Sequence, residues 1–390
     1  MIGRMDYQLG QGTGPLKGVK VVEIAGIGPS PHACMILADL GADVIRVERP
    51  GGQLLTGGSH DLLNRGRPSV ALDLKNPDAV ETVLQLVEQA DVLVEGMRPG
   101  VAERLGFGPD ACHGRNPRLV YGRMTGWGQD GPWSQMAGHD MNYIAITGTL
   151  FGLGQVPEKP QFPANLVGDF GGGSTYLVIG ILAALLEAKS SGQGQVIDAA
   201  IVDGTANLNA MTSAFLAGGG MKEQRAANLL DGGVPYYDIY ETADGEHMSV
   251  GSLEPQFYDQ LVDLLGIKDT APDRYDPARA DELRELIAAR FKERTRDEWS
   301  AVFDGTDACV APILRMSEAP DHPHIKAREV FVEHEGLVQP QPAPRFSRTA
   351  ATLSLPPAPG AGAHTREALT AWGITTVDGL IASGAAVQAE

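Results

Sequence analysis

Apolar positions in the first half of the chain alternate between two spacings. Residues 19–25 form a β-branched run, followed by the turn Gly26-Ile27-Gly28-Pro29 and a helical stretch that reaches Leu40. Residues 44–47 read as the next strand. Over 77–89 the apolar Val80, Val83, Leu84 and Val87 recur at helical spacing, with Pro77 suited to a first helical turn. Short buried strands are expected at 92–94 and 119–121. This strand-and-helix rhythm predicts an α/β fold with a largely parallel sheet and helices on its faces.

The pattern changes near Gly232. Residues 236–242 and 247–250 flank Asp244-Gly245, a hairpin signal. A helix follows Pro255, another is centred on Leu283, Leu286 and Ile287, and a third opens with the capping box Thr295 to Glu298 ahead of Trp299. These predict a smaller α+β domain. Residues 340–359 are rich in proline, which suits an extended arm laid over another surface, and a short helical tail ends the chain.

Composition narrows the field. A chain of 390 residues suits two domains, and 43% hydrophobic with 21% charged residues places it among soluble globular proteins. The longest apolar stretch, 176–186, runs into Glu187 and Lys189, too short and too quickly charged for a membrane span. The start of the chain carries Arg4, Asp6 and a Gly-rich segment in place of an apolar leader, so the expected location is the cytoplasm, with no membrane contact. A formal charge of -18 argues against nucleic-acid binding, which needs a basic field. A phosphate-rich small ligand remains open, because the first hundred residues hold a local cluster of Arg and Lys. Cys34, Cys112 and Cys309 lie far apart, and the neighbouring His322 and His324 lack further ligands at metal spacing. Neither a disulfide frame nor a metal site is expected.

Gly26-Ile27-Gly28 follows a strand, opens a helix and has Glu48 further on, as a dinucleotide fingerprint would. The third glycine is missing, and Pro29 and Pro31 remove N–H groups from the turn that would hold a pyrophosphate. The sequence therefore reads as a tight turn that lets backbone pass close to another group, and no nicotinamide cofactor is expected.

Several segments together resemble the family III CoA-transferases (the CaiB/BaiF-like fold family) and, within it, the α-methylacyl-CoA racemases. They include 21–29, Asp39-Leu40-Gly41-Ala42-Asp43 with the following 44–50, Glu95-Gly96-Met97-Arg98-Pro99-Gly100, and 123–129. Gly138-His139-Asp140-Met141-Asn142-Tyr143, the stretch 165–173 around Asp169, Glu254-Pro255-Gln256-Phe257 and 342–349 continue it over nearly the whole chain. The first dozen residues and the last twenty or so fall outside the resemblance. It implies a Rossmann-like large domain whose parallel sheet is built from both chain ends, a small α+β domain between them, and an interlocked homodimer with active sites at the subunit interface. On that frame, 1–200 is the N-terminal part of the large CoA-binding domain, 201–229 a helical linker, 230–312 the small domain, and 313–390 the return linker and C-terminal part.

The racemase pattern implies an acyl-CoA thioester substrate, with CoA as part of that substrate and no separate cofactor. Racemisation next to a thioester carbonyl needs one group to remove the α-proton from one face and another to deliver a proton to the opposite face. His139 suits one role because imidazole titrates near neutrality. Spacing alone would make it a helix-start histidine bonded to a nearby carbonyl; the surrounding Gly-His-Asp-Met-Asn-Tyr, as it stands in the racemases, reverses that reading. Asp169 is the second acid/base candidate and also reads as an N-cap ahead of the apolar helix, whose start would offer backbone N–H groups to an enolate oxygen. Glu254, ahead of Pro255, either accepts a hydrogen bond from His139, as the matching family residue does, or is an acidic helix-start residue.

Arg49, Lys75, Arg98 and Arg104 match family positions that meet the CoA phosphates and adenine; Leu72 and Gly96 line the same strip, and Gly138 and Tyr143 lie near the pantetheine end. Met211 and Met221 suit either an adaptable apolar pocket or plain core. The nearest rival is a CoA-transferase of the same family that uses Asp169 as its nucleophile; it needs the Asp but no His at 139. A non-enzymatic acyl-CoA-binding protein would need neither.

Overall fold

The protein is described by a computed structural model that covers residues 12–52, 60–155 and 157–389. The N-terminal extension up to residue 11 and the 53–59 part of the 51–60 loop lie outside the described residues. The chain divides into two compact units, one of residues 1–147, 163–208 and 328–390, the other of 148–162 and 209–327.

The first unit is built on β1 (Lys20–Ile24), β2 (Asp43–Glu48), β3 (Ser69–Leu72), β4 (Val92–Glu95), β5 (Val120–Thr125) and β6 (Val196–Ala200). These strands run parallel in the order β3-β2-β1-β4-β5-β6, the doubly wound order expected of a Rossmann-like sheet. The C-terminal strand Ala386–Val387 pairs antiparallel with β3, so both chain ends build the sheet. Side chains alternate between its faces. Val21, Val44 and Val92 pack with Leu37 and Ile181 of the helices Pro29–Asp39 and Thr175–Ser191. Val22, Ile45 and Leu93 pack with Val83, Leu369 and Leu380 of the helices Pro77–Val87, Thr365–Ala371 and Val377–Ser383. Covering both faces makes the strands continuous apolar runs, the pattern visible in the sequence.

Glu23 breaks that run. Its side chain is fully buried, paired with the Arg46 guanidinium from β2 and, at 2.9 Å, with Arg67. Arg67 also donates to the Pro31 carbonyl at 2.8 Å, tying the start of the helix Pro29–Asp39 to the sheet. At the other end of that helix Arg65 holds Asp39 at 2.6 Å and donates to the Gln339 side chain at 2.9 Å. The returning C-terminal segment is thereby anchored to the N-terminal half.

The helix Thr175–Ser191 continues a π-helical segment, Leu166–Ser174, so the helical run is longer than the apolar stretch suggests. At 26 residues it is long and apolar enough to cross a membrane by length and composition alone. Leu177, Ile181 and Ala184 are buried, its inner face packing on β5 and β6, whereas Ile179 and Leu186 are exposed.

The second unit holds an antiparallel sheet of β7 (Tyr237–Glu241), β8 (His247–Gly251) and β9 (Val310–Pro312). Its core joins Met248 to Leu261, Ile287, Phe291 and Trp299 from the helices Pro255–Leu264, Ala280–Phe291 and Arg296–Phe303. The expected hairpin closes with Gly245 at φ 78°, and the capping box forms, with the Thr295 N–H donating to Glu298 at 2.8 Å. The limits differ from those read in the sequence. The helix Ile201–Leu208 belongs to the first unit, and the return to it begins at 328, not 313. Residues 148–162 join the second unit, where Asn209 bonds Thr149 and Arg225 donates to the Phe151 carbonyl at 2.6 Å.

Glu23→Ala would leave Arg46 and Arg67 buried without their carboxylate. Denaturant unfolding is expected to show a loss of about 3–5 kcal/mol. An unchanged midpoint would mean that the pairs contribute nothing.

Candidate active site

Asp169 does not cap a helix, as the sequence suggested. It lies inside the π-helical segment Leu166–Ser174, which Asn165 caps. Glycines permit this. A Cβ on Gly172 would fall 2.4 Å from Thr205 Oγ1, and one on Gly204 would fall 1.9 Å from the Gly172 carbonyl oxygen. The segment therefore lies directly on the helix Ile201–Leu208, and tertiary contact overrides the turn propensity of three consecutive glycines. The Asp169 N–H is also not available to an enolate oxygen: it donates to Asp140 Oδ2 at 2.7 Å.

The Asp169 side chain is half-buried and accepts from Asn165 Nδ2 at 3.2 Å. Its carboxyl is pushed above the ordinary aspartate range, chiefly by burial and further by the Asp140 charge, against the Asn165 hydrogen bond and the His139 charge. The tight turn after β1 finds its partner here. Gly28 has φ 71°, and a Cβ on it would lie 3.3 Å from Asp169 Oδ2. The backbone passes close to that carboxyl.

His139 caps the helix Asp140–Ile146; its N–H donates to Asn142 Oδ1 at 3.0 Å, and the residue is exposed. It directly precedes Asp140, whose Oδ2 accepts the Asp169 N–H at 2.7 Å, and its charge acts on the Asp169 carboxyl. Tyr143, on the same helix, donates to the Gly138 carbonyl and meets the Trp127 ring edge-on at 4.7 Å. A Cβ on Gly138 would come within 2.7 Å of the Tyr143 ring and 2.8 Å of Trp127, so glycine is what lets these rings close. Burial, with the Asp169 and Asp140 charges, pushes the Tyr143 phenol up to about 12. His139, Gly138, Tyr143 and Asp169 therefore form one cluster in the first unit.

The expected CoA-binding residues lie along the carboxyl ends of the parallel strands. Arg49 follows β2, Lys75 follows β3, and Gly96 and Arg98 follow β4, with Arg104 in the short helix Val101–Leu105 beyond. This edge includes the switch point between β1 and β4, where open α/β sheets bind ligands. All four cations are exposed, and none forms an ion pair among the described residues. A nearby buried acid is already committed, Glu95 to Arg123 at 3.0 Å. A Cβ on Gly96 would fall 2.6 Å from Ser30 Oγ, so the strip is closely fitted there. Leu72 differs: the residue is fully buried in the core and presents no exposed surface.

Glu254 belongs to the second unit. It caps the helix Pro255–Leu264 without a side-chain cap bond, and its carboxylate is exposed. Sequence reading assigned no role to Asp140 or Asn165, although both stand in the quoted segments. Only the fold brings them onto Asp169.

A cluster of titratable side chains on a doubly wound sheet with a cationic strand edge marks the class, and residues 16–365 match CoA-transferase family III: the chain belongs to that family. It is 44% identical over 362 residues to the α-methylacyl-CoA racemase of Mus musculus, covering 92% of this chain and 94% of that one. To the human α-methylacyl-CoA racemase it is 42% identical over 364 residues, with the same coverage of 92% and 94%. A crystal structure of a CaiB/BaiF family protein from Brucella suis has a TM-score of 0.78 at 29% identity, covering 90% of this chain and 98% of that one. The family resemblance read from the sequence is thereby borne out.

In the unfolded chain Asp169 ionises near the ordinary 3.8, and in the fold it does so at higher pH. Below both values the carboxyl is neutral in both states and contributes nothing. As pH rises through the interval between them stability is lost, and above the folded value the whole penalty is present. Asp169→Asn removes the penalty, so the variant is expected to melt above the wild type at pH 7 and to lose that advantage below about pH 4. Equal melting temperatures at pH 7 would contradict the raised value.

Proposed function

We propose that this protein is a racemase that interconverts (2R)- and (2S)-2-methylacyl-CoA thioesters, with His139 and Asp169 as its two acid/base groups. The observation that carries the reading is the pair itself: an exposed imidazole one residue from the Asp140 carboxylate that accepts the Asp169 N–H, and an Asp169 carboxyl held above its ordinary range. For one hand of substrate, neutral His139 takes the α-proton and the electron pair moves onto the thioester oxygen as an enolate. The Asp169 carboxylic acid then gives its proton to the opposite face, leaving imidazolium and carboxylate. The other hand runs the same steps backwards. A raised Asp169 suits a proton donor better than the ionised nucleophile that CoA transfer requires. The strong likeness to two relatives named as racemases supports the same choice.

Arg49, Lys75, Arg98 and Arg104 would hold the phosphates and adenine of CoA, their exposed charge, without an ion pair among the described residues, being the feature that suits them. Gly96 would border that strip, with Leu72 buried beneath it, and Gly138 and Tyr143 would border the pantetheine end. No cofactor beyond the substrate is invoked, and the enzyme is proposed to act in the cytoplasm. It is further proposed to work as a homodimer in which each active site draws residues from both subunits, with Glu254 accepting a hydrogen bond from His139. The exposed apolar face with Ile179, Leu182 and Leu186 supports a subunit interface.

Proton NMR of a single-handed 2-methylacyl-CoA in deuterated buffer, with no carboxylic acid present, tests the reading. Loss of the α-proton signal together with formation of the other hand is expected. His139→Ala and Asp169→Asn should each slow this at least about a hundredfold. No exchange until a carboxylic acid is added, followed by CoA transfer to it, would make the protein a transferase.

A further inference from the structure

Several deeply buried acids of the first unit have cationic partners: Glu23 has Arg46 and Arg67, Asp39 has Arg65, and Glu95 has Arg123, while Asp61 rests on the Asn64 amide at 2.9 Å. Asp140 is only 5% exposed, pairs with no cation among the described residues, and its Oδ1 has no hydrogen-bond donor there. A buried carboxylate without a counter-ion is costly, and such groups gather at functional sites. Its other oxygen is fully engaged, accepting the Asp169 N–H at 2.7 Å. The contact is tight, since a Cβ on the intervening Gly168 would fall 2.5 Å from that oxygen.

We propose that Asp140 is a positioning residue for the racemisation put forward above, its buried carboxylate clamping the Asp169 main chain while keeping an anion beside the reacting carboxyl. The proposal rests on that functional reading. Asp140 is the first residue of the helix that His139 caps, so one helix start fixes both acid/base groups: His139 directly and Asp169 through the clamp. Its charge also opposes ionisation of Asp169, which keeps an acid form available for proton delivery. The other groups that act on Asp169 or respond to it are His139 and Tyr143, from the cap and body of the same helix. On the remaining elements packed there, His32 is bonded to Ser174 Oγ at 2.6 Å, and Asp203 acts on Asp198.

Asp140→Asn keeps an oxygen to accept the Asp169 N–H and removes only the charge. Its melting temperature is expected to hold or rise, and KM to change little. Its kcat should fall by about tenfold for each unit that Asp169 is lowered. The acidic limb of kcat/KM should move to lower pH, since that limb reports protonation of Asp169 in the active form. Asp140→Ala, which also frees the N–H, should lose more. Carbon-13 NMR of aspartate carboxyl-labelled full-length protein reads the Asp169 titration without turnover, with the resonance assigned through Asp169→Asn. Its midpoint should fall in Asp140→Asn. An unmoved midpoint, or a change confined to KM, would overturn the proposal. Failure of the wild type to exchange the α-proton, with the midpoint still lowered by Asp140→Asn, would sink the racemase reading and leave the clamp standing.

Discussion

Glu23 stands in the middle of a strand whose other side chains face hydrocarbon on both sides of the sheet, and a carboxylate there must bring its own cations. Arg46 comes from the neighbouring strand, and Arg67 from the segment leading into β3. Because Arg67 also holds the Pro31 carbonyl, the start of the helix Pro29–Asp39 is fixed against the sheet, and with it the turn at Gly28. That turn meets the Asp169 carboxyl. The position of the Asp169 carboxyl thus depends on the charge network around Glu23.

The chemistry follows from contrast between two environments. A two-base mechanism needs groups that exchange protons at similar pH, although free imidazole and free aspartate differ by about 2.6 units. The fold acts on the aspartate, pushing its carboxyl upward. His139 stays exposed at a helix start, while Asp169 is half-buried beside a second carboxylate. Binding rests on a similar contrast. The chain carries a net charge of -18, yet four cations with no ion pair among the described residues line the carboxyl ends of its parallel strands. A phosphate-rich ligand therefore meets a local field opposite in sign to the whole.

Much of the fold was legible because two-sided burial writes itself as apolar runs, as at 19–25, 44–47 and 92–94. Local signals served equally well in the second unit, where Thr295 and Glu298 need only three residues to find each other. The strand Ser69–Leu72 escaped notice because four residues carry too little pattern. Gly171-Gly172-Gly173 misled for a physical reason: glycine disfavours helix locally, and only the close approach of the helix Ile201–Leu208 explains a π-helical segment there. His139 and Asp169 were visible through family resemblance, since spacing alone favoured a capping role for the histidine. The clamp between Asp140 and Asp169 spans 29 residues of chain and exists only in three dimensions, so no pattern of neighbours announced it.

The central claim is that two different groups handle the proton on the two faces of the substrate. It is tested most directly by the isotope content of the product at the earliest conversions of one hand of 2-methylacyl-CoA in deuterated buffer. With His139 removing protium and Asp169 delivering solvent deuterium, the newly formed hand should carry deuterium at its α-carbon from the first turnover. Product that retains the substrate's own proton would mean that one base carries it from face to face, and would contradict the account.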